Sequence, residues 1–332
     1  HQRILTLTAL PEEARRGRRT VKDLLRTADL DAEDLETLLR LSAGFVDEPH
    51  TRKTLLAGRS VVLYFAKPST RTRISSETAV ARLGGTPVSV GPTELQLGRG
   101  ETIEDTARML SSYADAIVVR TFADDDVARL AAAASVPVIN ALTDGHHPLQ
   151  SLADLLTLRQ AFGDLTGHGI AYVGDGNNVA HSLIQAAAIV GLDIAVATPE
   201  GYRPDKKIVE DARAIADTHG SVVVVTDDPA RAVAGASAVY TDVWVSMGDP
   251  ETERAARTRA LTPYRVTPEL LARARPDAIF LHCLPAHRGD EVAAEVMDGP
   301  RSAVFQQAAN RLPTVQAVLC ALIEGTLTGR AV

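Results

Sequence analysis

Val61-Val62-Leu63-Tyr64-Phe65-Ala66-Lys67-Pro68-Ser69-Thr70-Arg71-Thr72-Arg73 sets a β-rich apolar run directly against a polar turn crowded with hydroxyls and guanidiniums. A short apolar run without alternation, bounded by turn residues, is the pattern of a strand covered on both faces. The turn opens a helix whose apolar period is clearest from Glu77 to Leu83 and which Gly84-Gly85 closes. The same order repeats along the chain. Ala116–Val119 and Val136–Ile139 read as strands, with helical patterns at Thr102–Tyr113 and Asp125–Ala134 before them. A second series of strands follows at Ile170–Val173, Asp193–Ala197, Val222–Val225, Ala238–Tyr240 and Ala278–Leu281, with helices over about 179–190, 205–218 and 229–235. Alternating strands and helices predict an α/β protein with parallel sheets covered on both faces. Two series predict two doubly wound parallel-sheet domains, 1–150 and 151–310, with Leu152–Phe162 as the connecting helix. Val245–Pro268 is too long for an ordinary connection and reads as a functional loop.

Composition agrees with a chain of this kind. The 332 residues suit two domains, at about 150 residues each. Apolar residues make up 45% and charged residues 23%, which excludes a disordered or fibrous chain. With 35 Lys plus Arg against 42 Asp plus Glu, the net charge of -7 argues against a nucleic-acid binder. It leaves room for a small anionic substrate, because a few local arginines outweigh distant charge. Two cysteines, Cys283 and Cys320, are too few for a disulfide framework or a closed zinc site. With no long apolar run and no signal-peptide pattern, the expectation is a cytoplasmic protein without a membrane span.

In open α/β sheets ligands bind beyond the carboxyl ends of the strands, so the residues just after each strand are the place to look for chemistry. After the first strand, Ser69, Thr70, Arg71 and Thr72 gather hydroxyls, a guanidinium and backbone N–H groups at a positive helix end, the arrangement that holds a phosphate. It lacks the spacing of a Walker A loop. Arg120 follows the strand at 116–119, and a charge there faces a crevice or is paired. In His146-His147-Pro148-Leu149-Gln150 the proline stiffens the turn and aims His147 and Gln150 at one ligand, with capping as the alternative. Gly174-Asp175-Gly176-Asn177-Asn178-Val179 offers Asn178 at a helix start, either as cap or as donor and acceptor to a zwitterion. Asp242 ends a strand and, with Ser246, suits an ammonium group or the anchoring of a loop. Cys283 stands at a strand top beside His282, whereas Cys320 in the apolar helix 314–323 reads as core.

Taken in order, the set resembles the aspartate/ornithine carbamoyltransferase family. The resemblance covers nearly the whole chain: Ser-Thr-Arg-Thr-Arg, Gln96-Leu97-Gly98-Arg99-Gly100-Glu101, Asp105-Thr106-Ala107, His-Pro-Leu-Gln, Gly-Asp-Gly-Asn-Asn, Ser-Met-Gly and His-Cys-Leu-Pro. The last two point within the family to ornithine. The resemblance implies that Ser69, Thr70, Arg71 and Thr72 bind the phosphate of carbamoyl phosphate, and that Arg120, His147 and Gln150 hold its carbamoyl group. Arg311 would reach in from a C-terminal helix (311–328) that returns to the first domain, and Gln96 would enter a neighbouring subunit's site in a homotrimer. Asn178, Asp242, Ser246 and Met247 would bind L-ornithine, with Cys283 and Leu284 between the two substrates. No cofactor and no metal are implied.

Three positions depart from the family pattern. Ser76 stands where Phe is common, Ala309 where Glu precedes Asn-Arg, and Leu149 where bacterial members often have Cys. Loss of the carboxylate at 309 leads one to expect a less firmly held Arg311. A dehydrogenase reading of Gly174-Asp175-Gly176 fails on Val179 in place of the third glycine and on the lack of an acid ending Ala195-Val196-Ala197-Thr198. A diamine or acylated acceptor would leave polar groups among Asn178, Asp242 and Ser246 unpaired. A non-catalytic paralogue would have lost contact residues that this chain retains.

Overall fold

The computed structural model describes residues 20–245 and 251–329. After a one-turn 3-10 helix (Thr27–Asp29) come α1 (Ala32–Asp47), β1 (Ser60–Phe65), α2 (Arg71–Arg82), β2 (Thr86–Val90), α3 (Ile103–Tyr113), β3 (Ala116–Arg120), α4 (Asp124–Ala133) and β4 (Val138–Leu142). Helix α5 (Pro148–Phe162) leads into β5 (Gly169–Val173), α6 (Asn178–Val190), β6 (Asp193–Ala197), α7 (Lys206–His219), β7 (Val223–Thr226), α8 (Pro229–Val233) and β8 (Ala238–Thr241). Then follow α9 (Glu251–Leu261), α10 (Pro268–Leu271), β9 (Ile279–His282), α11 (Ala294–Met297), α12 (Val304–Ala309) and α13 (Arg311–Glu324).

The strands form two parallel sheets, β2-β1-β3-β4 and β7-β6-β5-β8-β9. In each, the chain builds outward from a central strand and then returns to build the other side. Strand order therefore reverses between β1 and β3, and again between β5 and β8. Those two reversals leave crevices at the carboxyl ends of the strands.

Alternation along β1 shows why a strand this apolar is needed. Val61, Leu63 and Phe65 join a cluster with Leu38 of α1, Leu152 of α5 and Leu319 of α13. Val62 and Tyr64 join another with Leu110 of α3 and Leu130 of α4. The first cluster continues through α5 and α6 to Tyr172 and Tyr240, so one core spans both sheets. Burying a leucine there stabilises by roughly 1.5–3 kcal/mol. Helix α13 is buried from Pro313 to Leu322 and packs on α1, α2 and α5, which is the return to the first sheet that the family resemblance implied. Among the described residues, no helix is long and apolar enough to cross a membrane.

Several boundaries differ from the sequence expectation. α2 begins at Arg71, before its apolar period becomes visible, and α5 begins at Pro148 because proline suits a first helical turn. β4 runs from Val138 to Leu142 rather than from Val136, starting just after Pro137. The stretch Val245–Pro268 is not all loop: it contains α9 and a 3-10 turn at Thr262–Tyr264. Strand β2 and helix α1 were not anticipated.

Candidate active site

The first crevice is built around the start of α2. Thr70 is the cap residue of α2, yet its side chain makes no capping bond, and no acid occupies the first turn. The positive helix end and its amides are thus left for an anion. Thr72 is buried and accepts a hydrogen bond from Arg311 Nη2 at 3.0 Å. Arg71 Nη2 donates to the backbone oxygen of Leu284 at 2.8 Å, tying this turn to the loop after β9.

Arg120 ends β3 opposite Phe65, where the N–H of Ala66 donates to its carbonyl at 2.8 Å. Its Nε has no hydrogen-bond partner among the described residues. Burial first, and then the charge of Arg71, pull its guanidinium down to about 10, which leaves it cationic near neutrality. His147 precedes α5 and is buried, its backbone N–H held by Ser182 Oγ at 2.8 Å and its Nδ1 without a partner among the described residues. Burial, followed by the charges of Arg311, Arg120 and Arg71, holds its imidazole well below 6.5, so the ring is neutral. Arg311 Nη1 donates to Gln150 Oε1 at 2.7 Å, and burial lowers Arg311 to about 10. Ala309 is solvent-exposed, and the Arg311 side chain is held by Thr72 and Gln150.

The second crevice centres on Asp242. Its Oδ1 accepts from the Cys283 thiol at 2.9 Å and from the Val243 N–H at 2.8 Å, and its Oδ2 accepts from Asn177 Nδ2 at 2.7 Å. Burial, and the Asp242 carboxylate beside it, push the Cys283 thiol well above its ordinary value. Cys283 is therefore a neutral donor and not a thiolate nucleophile. Leu284 has a left-handed φ of 63°, an uncommon conformation for a leucine that turns the chain sharply after Cys283. His282 is fully buried; Nδ1 accepts from the Leu284 N–H at 2.9 Å, and Nε2 pairs with Glu291 Oε1 at 2.9 Å. With both ring nitrogens engaged, the neighbouring set Asp242, His282 and Cys283 has no free imidazole nitrogen for a metal ion.

The cap of α6 is Asn177, whose Oδ1 accepts from Val179 and Ala180, so the helix-start role expected at Asn178 belongs to its neighbour. Asn178 is in the first turn and donates to the Thr143 carbonyl at 2.7 Å. Gly176 is required here: a Cβ would lie 2.3 Å from the Pro204 nitrogen.

The structure thus joins Thr72, Arg71, Gln150, Arg311 and Leu284 by hydrogen bonds, with Arg120 and His147 among their charges and Cys283 bonded to Asp242. Ser69 and Thr70 lie on the same turn. Gln96 is exposed, at the start of a 3-10 turn (Leu97–Arg99), and is not part of this cluster. Ser246 and Met247 lie outside the described residues. Asn177 escaped sequence reasoning because nothing local distinguishes two adjacent asparagines. Tyr172, whose hydroxyl donates to Asn177 Oδ1 at 3.3 Å, is masked within an apolar strand.

Residues 22–160 match the carbamoyl-P binding domain of aspartate/ornithine carbamoyltransferases, and residues 166–322 match their Asp/Orn binding domain. The chain belongs to the aspartate/ornithine carbamoyltransferase family. Within this family it is 49% identical over 304 residues to ornithine carbamoyltransferase of Anoxybacillus flavithermus, covering 91% of this chain and 96% of that one. To the Bacillus subtilis enzyme of the same name it is 49% identical over 302 residues, covering 91% and 94%. The solved ornithine carbamoyltransferase of Pyrococcus furiosus superposes with a TM-score of 0.87 at 46% identity, covering 91% of this chain and 96% of that one. That of Gloeobacter violaceus gives 0.83 at 44%, covering 92% and 99%. Both carbamoyltransferase domains are therefore present in this one chain; the Asp242 crevice lies in the second match, and the anion crevice is formed by the first match with Arg311 from the second.

Proposed function

We propose that this protein transfers the carbamoyl group of carbamoyl phosphate to the side-chain amine of L-ornithine, giving L-citrulline and phosphate. One observation carries the reading: the cationic crevice around Arg71, Arg120, Arg311 and neutral His147 is joined, through Arg71 and Leu284, to the crevice of Asp242 and Cys283. An anion-binding half beside a half suited to an ammonium group is what a carbamoyl phosphate and an amino acid require. Identity of about half the residues to proteins named ornithine carbamoyltransferase supports the choice of acceptor.

In this proposal Ser69, Thr70, Arg71 and Thr72 bind the phosphate, and Gln150, Arg311, Cys283 and Leu284 frame the carbamoyl group. Asn178, Asp242, Ser246 and Met247 bind ornithine. A primary amine with a pKa of about 10.4 is protonated at neutral pH and must give that proton up to solvent before it can attack. Asp242 and Cys283 orient the amine as it does so. The nitrogen lone pair then forms a bond to the carbamoyl carbon, charge builds on the carbonyl oxygen, and Thr72, Arg120 and His147 stabilise it as fixed donors. The bond from carbon to the bridging oxygen breaks. Phosphate departs into the α2 turn as HPO₄²⁻, the second nitrogen proton completing the balance. The high pKa of the thiol favours a direct transfer with no covalent intermediate on Cys283.

The same reading assigns residues 1–150, with 311–328, to carbamoyl phosphate and 151–310 to ornithine. It gives Gln96 a role in a neighbouring subunit of a homotrimer, and places the enzyme in the cytoplasm in arginine biosynthesis. The test is citrulline formation from carbamoyl phosphate with ornithine, putrescine, N-acetylornithine, lysine and aspartate as parallel acceptors. Selective turnover of ornithine is expected; turnover of another acceptor alone overturns the ornithine half.

A further inference from the structure

Asp154 sits in the middle of α5 with no solvent exposure, and the reaction above makes no use of it. Its Oδ1 accepts three hydrogen bonds: from Gln150 Nε2 at 2.8 Å, from Gln307 Nε2 at 2.7 Å and from the Tyr240 hydroxyl at 3.3 Å. Its Oδ2 has no partner among the described residues. Each donor leads to a different part of the site. The other end of Gln150 accepts from Arg311, which also holds Thr72. The other end of Gln307 accepts the backbone N–H of His282 at 2.9 Å, one residue before Cys283. Tyr240 lies on β8, two residues before Asp242.

A glutamine amide has a donor end and an acceptor end and can be turned either way, whereas a carboxylate only accepts. An ionised Asp154 therefore compels both glutamines to turn their NH₂ groups inward. Their carbonyl oxygens must then face outward, one to Arg311 and the other to the strand end that carries Cys283. The carboxylate at the centre and the obligate donors at the two ends, Arg311 and the His282 N–H, demand one and the same direction along the chain Arg311–Gln150–Asp154–Gln307–His282.

We propose that Asp154 is a positioning residue for carbamoyl transfer, which by fixing the orientation of Gln150 and Gln307 holds the Arg311 side and the Cys283 side of the site in register. The assignment rests on the function proposed above. An amide at 154 either keeps its oxygen on the three donors and buries an NH₂ with no acceptor where Oδ2 now stands, or turns and forces a glutamine over; neither holds the polar chain as the carboxylate does. The groups acting on Asp154 are Tyr240 from β8, Gln307 from α12, Gln150 from its own helix, and the charge of Arg311 from α13. Cys283 and Tyr172 also lie within its electrostatic reach. Burial pushes its carboxyl up to about 7, so acidification below neutrality converts the acceptor into an acid with a proton to place.

The test is Asp154→Asn, a change that preserves shape. Steady-state kinetics with both substrates are measured from pH 6 to 9, with carbamoyl phosphate binding followed by calorimetry and folding by thermal unfolding. The expected result is a folded protein whose kcat falls on the order of 10²-fold, with weakened carbamoyl phosphate binding. The rise in the KM for carbamoyl phosphate below neutral pH should be smaller than in the wild type. If Asp154→Asn does not fold, Gln307→Met cuts the chain on the Cys283 side only, and is expected to lower kcat while carbamoyl phosphate binding stays within about twofold. Tyr240→Phe, which leaves both amides oriented, is the control and should stay near the wild type. Wild-type kcat, KM and pH profile in a folded Asp154→Asn, whatever its melting temperature, overturn the proposal, as does unchanged kcat in Gln307→Met. A wild-type protein that makes no citrulline overturns the proposed function instead, and the calorimetric comparison then still reads the link from Asp154 to Arg311.

Discussion

The two crevices present opposite states of hydrogen-bond satisfaction. Around the first, Arg120 Nε, Arg311 Nε and His147 Nδ1 are buried without partners among the described residues, and like charges crowd one another. Around the second, both oxygens of Asp242 are engaged, by Cys283, Val243 and Asn177. Leaving buried donors unpaired is costly, on the order of 1–3 kcal/mol each. The first crevice therefore holds its donors ready for a strongly anionic ligand, and the cost is offset by the surrounding core. The second is held in shape by the protein's own bonds, so an incoming ammonium group must share acceptors already in use. The difference predicts strong, enthalpic capture of carbamoyl phosphate and weaker, more selective capture of the amino acid.

The contrast can be broken at either end. Arg120→Ala should have the largest effect, lowering kcat/KM by roughly 10³-fold through loss of a fixed donor to developing charge, with ornithine recognition by the residual enzyme unchanged. A loss spread equally over both substrates would erase the distinction. Asp242→Asn comes next, with an expected fall on the order of 10²-fold in kcat/KM for ornithine, while calorimetric binding of carbamoyl phosphate is retained. Cys283→Ala should lower kcat by about tenfold, leaving phosphate binding in place; an unchanged rate would make the thiol a packing group.

A smaller effect belongs to pH and His147. Because burial holds its folded pKa well below 6.5, the unfolded chain binds the proton that the folded chain refuses. The sign follows: stability on this account is complete above about 6.5 and is lost as pH falls below it. Denaturant titrations of the wild type should show that loss, and His147→Gln should blunt it. The smallest effect is expected from Ala309→Glu. Since position 309 is exposed and Arg311 is held elsewhere, the change should alter stability by less than about 0.5 kcal/mol and leave the rate alone.

Ala309 also marks where reading a sequence runs out. The strands and the polar turns after them were legible, because an apolar run followed by Ser69-Thr70-Arg71-Thr72 or by Asp242 carries its meaning locally. What steadies Arg311 was not. The expectation looked two residues away, but the partners are Gln150 and Thr72, 161 and 239 residues distant along the chain. The Asp154 centre was hidden for the same reason, as Gln307 lies 153 residues away. β2 was missed because Thr86-Pro87-Val88-Ser89-Val90 is a half-exposed edge strand with a proline and little apolar character. The helical half of Val245–Pro268 was obscured by the charged, weakly apolar sequence of α9.

Helix α13 closes the first sheet although it follows the second sheet in the chain. During synthesis the apolar sides of α1, α2 and α5 must wait, uncovered, for a helix that begins about 150 residues after α5 and about 230 after α2. Arg311, the first residue of that helix, arrives at the anion crevice at the same late moment. A nascent or prematurely ended chain thus offers its carbamoyl phosphate half no third guanidinium. The order of translation delays a working site until both halves of the enzyme exist.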